Sequence, residues 1–117
     1  MPIRCLIVDD NPAFLDSARR LLAAEGVEIV GTASTSAEAL ALAVETKPDV
    51  VLVDVELGDE DGFELTRCLA ASPSAMPVIL ISTYPEEDVV DLVASSPAAG
   101  FIAKSSLSAG AVTAMLS

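Results

Sequence analysis

Six side chains carry most of the chemistry this sequence could do, and each follows directly on a short apolar run. Asp9 and Asp10 follow residues 3–8, Asp54 follows 50–53, Ser82 and Thr83 follow 78–81, and Lys104 follows 100–103. In an open parallel sheet, ligands bind beyond the carboxyl ends of the strands. If the runs are strands, three carboxylates, hydroxyls and one ammonium meet on one edge. Carboxylates that close repel one another and raise at least one pKa unless a cation neutralises them. A hard divalent ion answers that need, and Mg2+ accepts a few carboxylates together with waters and phosphate oxygens. Each residue alone has a plainer reading. An Asp after a strand caps a helix or sits in a turn, and Lys104 alone reads as a surface lysine with its stem on apolar surface. Capping does not explain the conjunction: Asp54 ends the presumed central strand, and Lys104, the only lysine besides Lys47, ends the fifth run.

The elements that must position these residues can be read from the same pattern. The runs at 3–8, 27–33, 50–53, 78–81 and 100–103 are rich in Val, Ile and Leu without regular alternation, as strands covered on both faces are. Between them lie helical signals. Asn11-Pro12 reads as an N-cap and first helical position, with Phe14, Ala18, Leu21 and Leu22 recurring at helical spacing until Gly26. Thr35-Ser36-Ala37-Glu38 has capping-box spacing before Leu40, Leu42 and Val44, and Pro48 ends that helix. A third helix is expected from Gly62 through Phe63, Leu65 and Leu69, stopping before Ser72-Pro73. A fourth opens at Pro85 with Glu86, Glu87 and Asp88 in its first turn and stops by Ser96-Pro97. Ser106 is the expected cap of a fifth that carries Leu107, Val112 and Leu116. Five strand and helix alternations predict a doubly wound α/β domain with right-handed crossovers.

The motifs resemble the receiver family of two-component response regulators over the whole chain, 1–117. They are Leu6-Ile7-Val8-Asp9-Asp10; Asp49-Val50-Val51-Leu52-Val53-Asp54 with Asp61-Gly62; Pro77-Val78-Ile79-Leu80-Ile81-Ser82; and Gly100-Phe101-Ile102-Ala103-Lys104. Each is weak alone, and four in order at strand ends are specific. The resemblance implies a flavodoxin-like sheet of strand order 2-1-3-4-5. It also implies Mg2+ held by Asp9, Asp10, Asp54 and the main-chain carbonyl of Glu56, with Asp54 as the phosphorylated residue. Lys104 then acts as a point charge on the phosphoryl group, and Ser82 donates its hydroxyl while Phe101 rotates inward. The implied donor is a sensor histidine kinase or phosphotransfer protein. Phe101 is equally readable as core packing and Ser82 as a helix cap, and Glu56, Asp59, Glu60 and Asp61 read as a solvated acidic loop. The sequence departs from the family at Gly58 and Ser105, where Pro is common, and Glu56 and Tyr84 fall where solvent reaches the acceptor.

Composition narrows the setting. The 117 residues suit one compact domain, and a 52% apolar content is broken into runs far short of the roughly 18 residues of a membrane span. Two acids close behind the first run argue against a secretory signal, so a soluble, cytoplasmic chain is expected. Cys5 and Cys68 are expected to be reduced core residues. Eighteen acids against six bases give a net charge of -12, which opposes direct nucleic-acid binding. With no histidine in the chain, any phosphohistidine must come from the donor. Lys104-Ser105-Ser106-Leu107 is similar to receivers that precede a LuxR-type helix-turn-helix module, so a C-terminal DNA-binding domain is expected beyond Ser117. A homodimer through a helix face is compatible with this, and nothing in the sequence selects one. Two other functions stay open. One is a small phosphohydrolase using Asp54 and Glu56 as nucleophile and general acid; the other is a phosphorylation-independent protein-binding module.

Overall fold

In a computed structural model that describes residues 2–72 and 76–116, five parallel strands carry the fold: β1 (Arg4–Val8), β2 (Glu28–Ala33), β3 (Val50–Asp54), β6 (Val78–Ser82) and β7 (Gly100–Ala103). Their order is β2-β1-β3-β6-β7, the expected 2-1-3-4-5 once two short strands are set aside. Those two, β4 (Glu56–Leu57) and β5 (Glu60–Asp61), form an antiparallel ladder of their own. The turn between them carries Gly58 at φ +60°, a conformation that disfavours a side chain and excludes Pro outright.

Alternation along the strands splits the core into two layers, because successive side chains point to opposite faces. Leu6, Val8, Val51, Val53 and Leu80 pack with α2 (Ser36–Thr46) and α3 (Gly62–Ala70). Cys5, Ile7, Val50, Leu52, Ile79 and Ile81 face α1 (Pro12–Ala24) and α5 (Ala109–Leu116). Every residue of β3 and β6 is buried, which is why these runs read as unbroken apolar sequence. Burial also holds the Cys5 thiol neutral, its pKa pushed up to about 12.

The caps explain where the helices begin. Asn11 Oδ1 accepts from the Ala13 and Phe14 amides at 3.0 and 3.4 Å, with Pro12 as first helical residue. Thr35 Oγ1 accepts from the Glu38 amide at 3.2 Å, and Asp61 Oδ1 from the Phe63 amide at 2.9 Å. Gly62 lets α3 start directly under β3: a Cβ there would lie 2.0 Å from the Asp54 carbonyl oxygen.

Four expectations need correction. Glu56, Glu60 and Asp61, expected in a solvated acidic loop, lie in the β4–β5 ladder, where Asp61 caps α3 and Glu60 accepts from the Ser36 amide at 2.9 Å. The fourth helix is broken into a 3-10 turn at Glu86–Asp88 and a five-residue α4 (Val90–Ala94). The acids suit a first turn, but of the stretch beyond it only Val89 is buried, and helices in proteins draw most of their stability from a packed apolar face. Ser106 does not cap α5 but lies in a 3-10 turn, Lys104–Ser106; Ser108 Oγ accepts from the Ala111 amide at 3.0 Å instead. Cys68 is exposed, because Leu65, Thr66 and Leu69 take the inward face of α3 and leave position 68 on the outer one. Pro73 and Ser117, expected to mark the stop of α3 and the end of α5, lie outside the described residues. Among the described residues no helix is long and apolar enough to cross a membrane.

Candidate functional site

The six residues singled out by their position after apolar runs all line one cleft of about 280 Å³ at the carboxyl edge of the sheet. Asn11, Glu56, Gly58 and Tyr84 complete its wall. Asp9 continues β1, its amide donating to the Ala33 carbonyl at 3.0 Å, and the Val55 amide after Asp54 donates to the Ile81 carbonyl at 3.0 Å. The ladder thus runs on past the strands and fixes both carboxylates to the sheet. Asp9 and Asp54 are buried, Asp10 is exposed, and one carboxylate oxygen from each of the three lies within 4.8 Å of the others.

Hydrogen bonds set the orientation. Asp54 Oδ1 accepts from the Glu56 amide at 3.2 Å, and Oδ2 accepts from Lys104 Nζ at 3.2 Å. The same ammonium forms an ion pair with Asp9 Oδ2. Asp9 Oδ1 accepts from the Asn11 amide at 2.9 Å, which links the acid pair to the cap of α1. Ser82 is buried, its Oγ accepting from the Tyr84 amide at 3.0 Å. Phe101, also buried, packs in the layer of α2 and α3 with Leu80 and Val89.

The electrostatics are those of crowded anions. Burial raises the Asp54 pKa above the usual carboxylate range; the Asp9 charge adds to this, while the Glu56 amide and Lys104 offset part of it. For Lys104, burial works against the charged form, but the contacts with Asp9 and Asp54 outweigh it and the net shift is upward. At the rim, a hydrogen bond to the Glu56 carboxylate raises the Tyr84 phenol.

One ammonium against three carboxylates leaves a negative balance. Asp9 Oδ2 is moreover buried without a hydrogen bond of regular geometry, the ion pair with Lys104 being its one contact of this kind. Hard oxygen donors and excess negative charge fit a hard divalent cation, the donor set Mg2+ prefers.

Sequence reasoning missed two participants. Asn11 was read as a cap but not as the residue that ties Asp9 to α1. Phe14 was read as part of the apolar stripe of α1, yet its ring centroid lies 4.2 Å from Lys104 Nζ. The helical spacing put Phe14 one turn from the cap, and nothing local signalled that a lysine ninety residues on would meet it.

A doubly wound parallel sheet with an acid-lined, lysine-bridged cleft at its switch point defines the class: an α/β domain whose charged groups gather at one edge of the sheet. The chain belongs to the response regulator receiver domain family, whose model matches residues 5–116. It is 32% identical over 108 residues to the transcriptional regulatory protein LiaR of Bacillus subtilis, covering 92% of this chain and 51% of that one. A two-component response regulator of the LuxR family from Aurantimonas sp. SI85-9A1 superposes with a TM-score of 0.86 at 29% identity, over 99% of this chain and 84% of that one. A response regulator protein from Burkholderia pseudomallei, solved with a phosphorylated aspartic acid, a calcium ion and citrate, gives 0.82 at 25% identity, over 98% and 66%. The chain spans between about a quarter and about half the length of the curated relatives it matches.

Proposed function

We propose that this domain is a phosphoacceptor switch in which Asp54 takes a phosphoryl group from a sensor histidine kinase or phosphotransfer protein. The observation that carries this reading is the Asp54 carboxylate itself, held by the Glu56 amide and Lys104 within reach of Asp9 and Asp10. An Asp54 oxygen attacks phosphorus; a P–O bond forms as the P–N bond to the donor imidazole breaks, and the imidazole leaves with the bonding pair and is protonated. Lys104 moves its charge from the carboxylate to a phosphoryl oxygen, so the work is positioning and charge compensation. Asp9, Asp10 and Asp54, with the Glu56 main-chain carbonyl, would hold Mg2+, which when bound draws charge off the phosphoryl oxygens. The chain turns over no separate substrate in this reading.

The output runs through Ser82. Its hydroxyl can keep accepting from the Tyr84 amide while donating to the phosphoryl group, so a shift of Ser82 draws the 83–85 loop with it. Phe101, beside Leu80 and Val89, then turns into the space that opens, and the surface of β7 and α4 changes. The likeness to a LuxR-family regulator supports a DNA-binding domain after this segment and control of transcription as the output. The segment itself, at net charge -12, leaves DNA contact to that domain. A cytoplasmic setting and a homodimer switched through a helix face go with this scheme. The phosphohydrolase reading has no observation of its own: the Glu56 carboxylate it would use as general acid is engaged by Tyr84 at the rim.

Intact mass after incubation with acetyl phosphate tests the proposal. Wild type is expected to gain one phosphoryl group with Mg2+ and none without it, and Asp54→Ala to gain none. Equal labelling of Asp54→Ala would remove Asp54 from the role.

A further inference from the structure

We infer that Phe14 is a positioning residue for Lys104, holding the ammonium by its ring face while leaving it free to change anionic partners. The inference rests on the phosphoacceptor reading above, since the partner to be exchanged for is a phosphoryl oxygen.

The geometry is as follows. Lys104 leaves the end of β7 and enters the 3-10 turn that follows, an irregular segment with Ser105 and Ser106 exposed beside it. Its backbone alone therefore gives the long side chain little guidance, yet the side chain is only 12% exposed. Three groups surround the ammonium: Asp9 Oδ2, Asp54 Oδ2 and the face of Phe14 at 4.2 Å. Phe14 is itself tethered to the acid pair. Its amide donates to Asn11 Oδ1, and the Asn11 amide donates to Asp9 Oδ1. The ring, the first carboxylate and the ammonium are thus set by one short stretch, 9–14.

The physical role follows from the kind of attraction each group exerts. A hydrogen bond from an ammonium to a carboxylate is directional and holds the group where it is. A ring quadrupole attracts a cation over its whole face, almost without regard to where the N–H bonds point. Lys104 can therefore swing from Asp54 Oδ2 toward an arriving phosphoryl oxygen without losing its contact with Phe14. An aliphatic side chain in the same place would shield the ammonium from water and return nothing. A polar one would compete for its N–H groups. The ring also walls a largely apolar cleft of about 390 Å³ with Ala18, Leu21 and Leu107, and Lys104 lines both that cleft and the charged site.

Phe14 also packs against the core layer of α1 and α5, and the test must separate that from its action on Lys104. The rate of phosphorylation by acetyl phosphate with Mg2+ is measured for wild type, Phe14→Leu and Phe14→Tyr, with thermal melts of all three. The Lys104 methylene proton shifts are read in the same proteins by NMR. The ring current is expected to move those protons upfield in wild type and Phe14→Tyr and to leave them unshifted in Phe14→Leu. The phosphorylation rate is expected to fall about fivefold to tenfold in Phe14→Leu, a size typical of losing one partly buried ring contact, and to stay within about twofold of wild type in Phe14→Tyr. A rate in Phe14→Leu equal to wild type overturns the inference. So does an equal loss in both variants, which would assign Phe14 to packing alone. Wild type that takes no phosphoryl group from acetyl phosphate while its Lys104 protons are shifted would overturn the phosphoacceptor reading instead, and the inference with it.

Discussion

β1 and β3 deliver Asp9 and Asp54 from strands buried almost end to end, backed by a 13-residue, well-capped α1 and by α3 starting at Gly62. β6, fully buried, and β7, buried only at Phe101 and Ile102, deliver Ser82 and Lys104, and between them the chain loosens. The 3-10 turn at Glu86–Asp88 and the short α4 leave Tyr84, Val90 and Leu92 about half exposed. Under the proposed switch the two regions answer opposite demands. Carboxylates brought together against their own repulsion need a rigid support, whereas a segment that reports a local hydrogen bond must reorganise at small cost, and few buried contacts make that possible.

Truncating one side chain in each region gives the largest contrast. Leu52→Ala, in the fully buried β3, is expected to destabilise by about 2–5 kcal/mol, as large-to-small core changes do. Leu92→Ala, on α4, is expected to stay within about 0.5 kcal/mol. Urea unfolding of both variants checks this, and comparable losses would erase the distinction between support and reporter.

A smaller effect tests whether the rigid half stores repulsion. The folded pKa of Asp54 lies above its ordinary value, near 3.9 in an unfolded chain, chiefly through burial and then the Asp9 charge. A raised carboxyl pKa means that its contribution to stability is fully present below the unfolded value and is lost as pH rises through the folded one. Asp54→Asn should therefore stabilise the metal-free domain at pH 7, by an amount on the order of 1 kcal/mol for a screened like-charge contact. The gain should fade as the pH falls toward 4. Thermal melts across that range read it directly, and a variant less stable than wild type at pH 7 would mean that Lys104 already overcompensates the acids.

How much of this could be read in advance differs between the same two regions. The central strands announce themselves, because burial on both faces leaves no alternation and makes Val50-Val51-Leu52-Val53 unmistakable. The residues after them are placed at one edge by the parallel topology alone, so Asp9, Asp10, Asp54, Ser82 and Lys104 fall together without any knowledge of loops. The α4 segment misled for a local reason: Pro85 followed by three acids is a sound helix start, and only the shortage of burial beyond it breaks the helix. Ser106 misled similarly, since Ser108 has equal capping chemistry and only the 3-10 turn decides between them. The ladder of β4 and β5 is too short for any period to reveal. The Phe14 contact depends on where a lysine side chain folds back from a distant strand, which no pattern of spacing encodes.

The most direct test of the central claim is to find which carboxylate carries the phosphoryl group. After incubation with acetyl phosphate and Mg2+, borohydride reduction converts an aspartyl phosphate to homoserine, and peptide mass spectrometry locates it. Homoserine at position 54 alone, absent when Mg2+ is chelated, is the predicted result; homoserine at Asp9 or Asp10, or labelling indifferent to Mg2+, would contradict it.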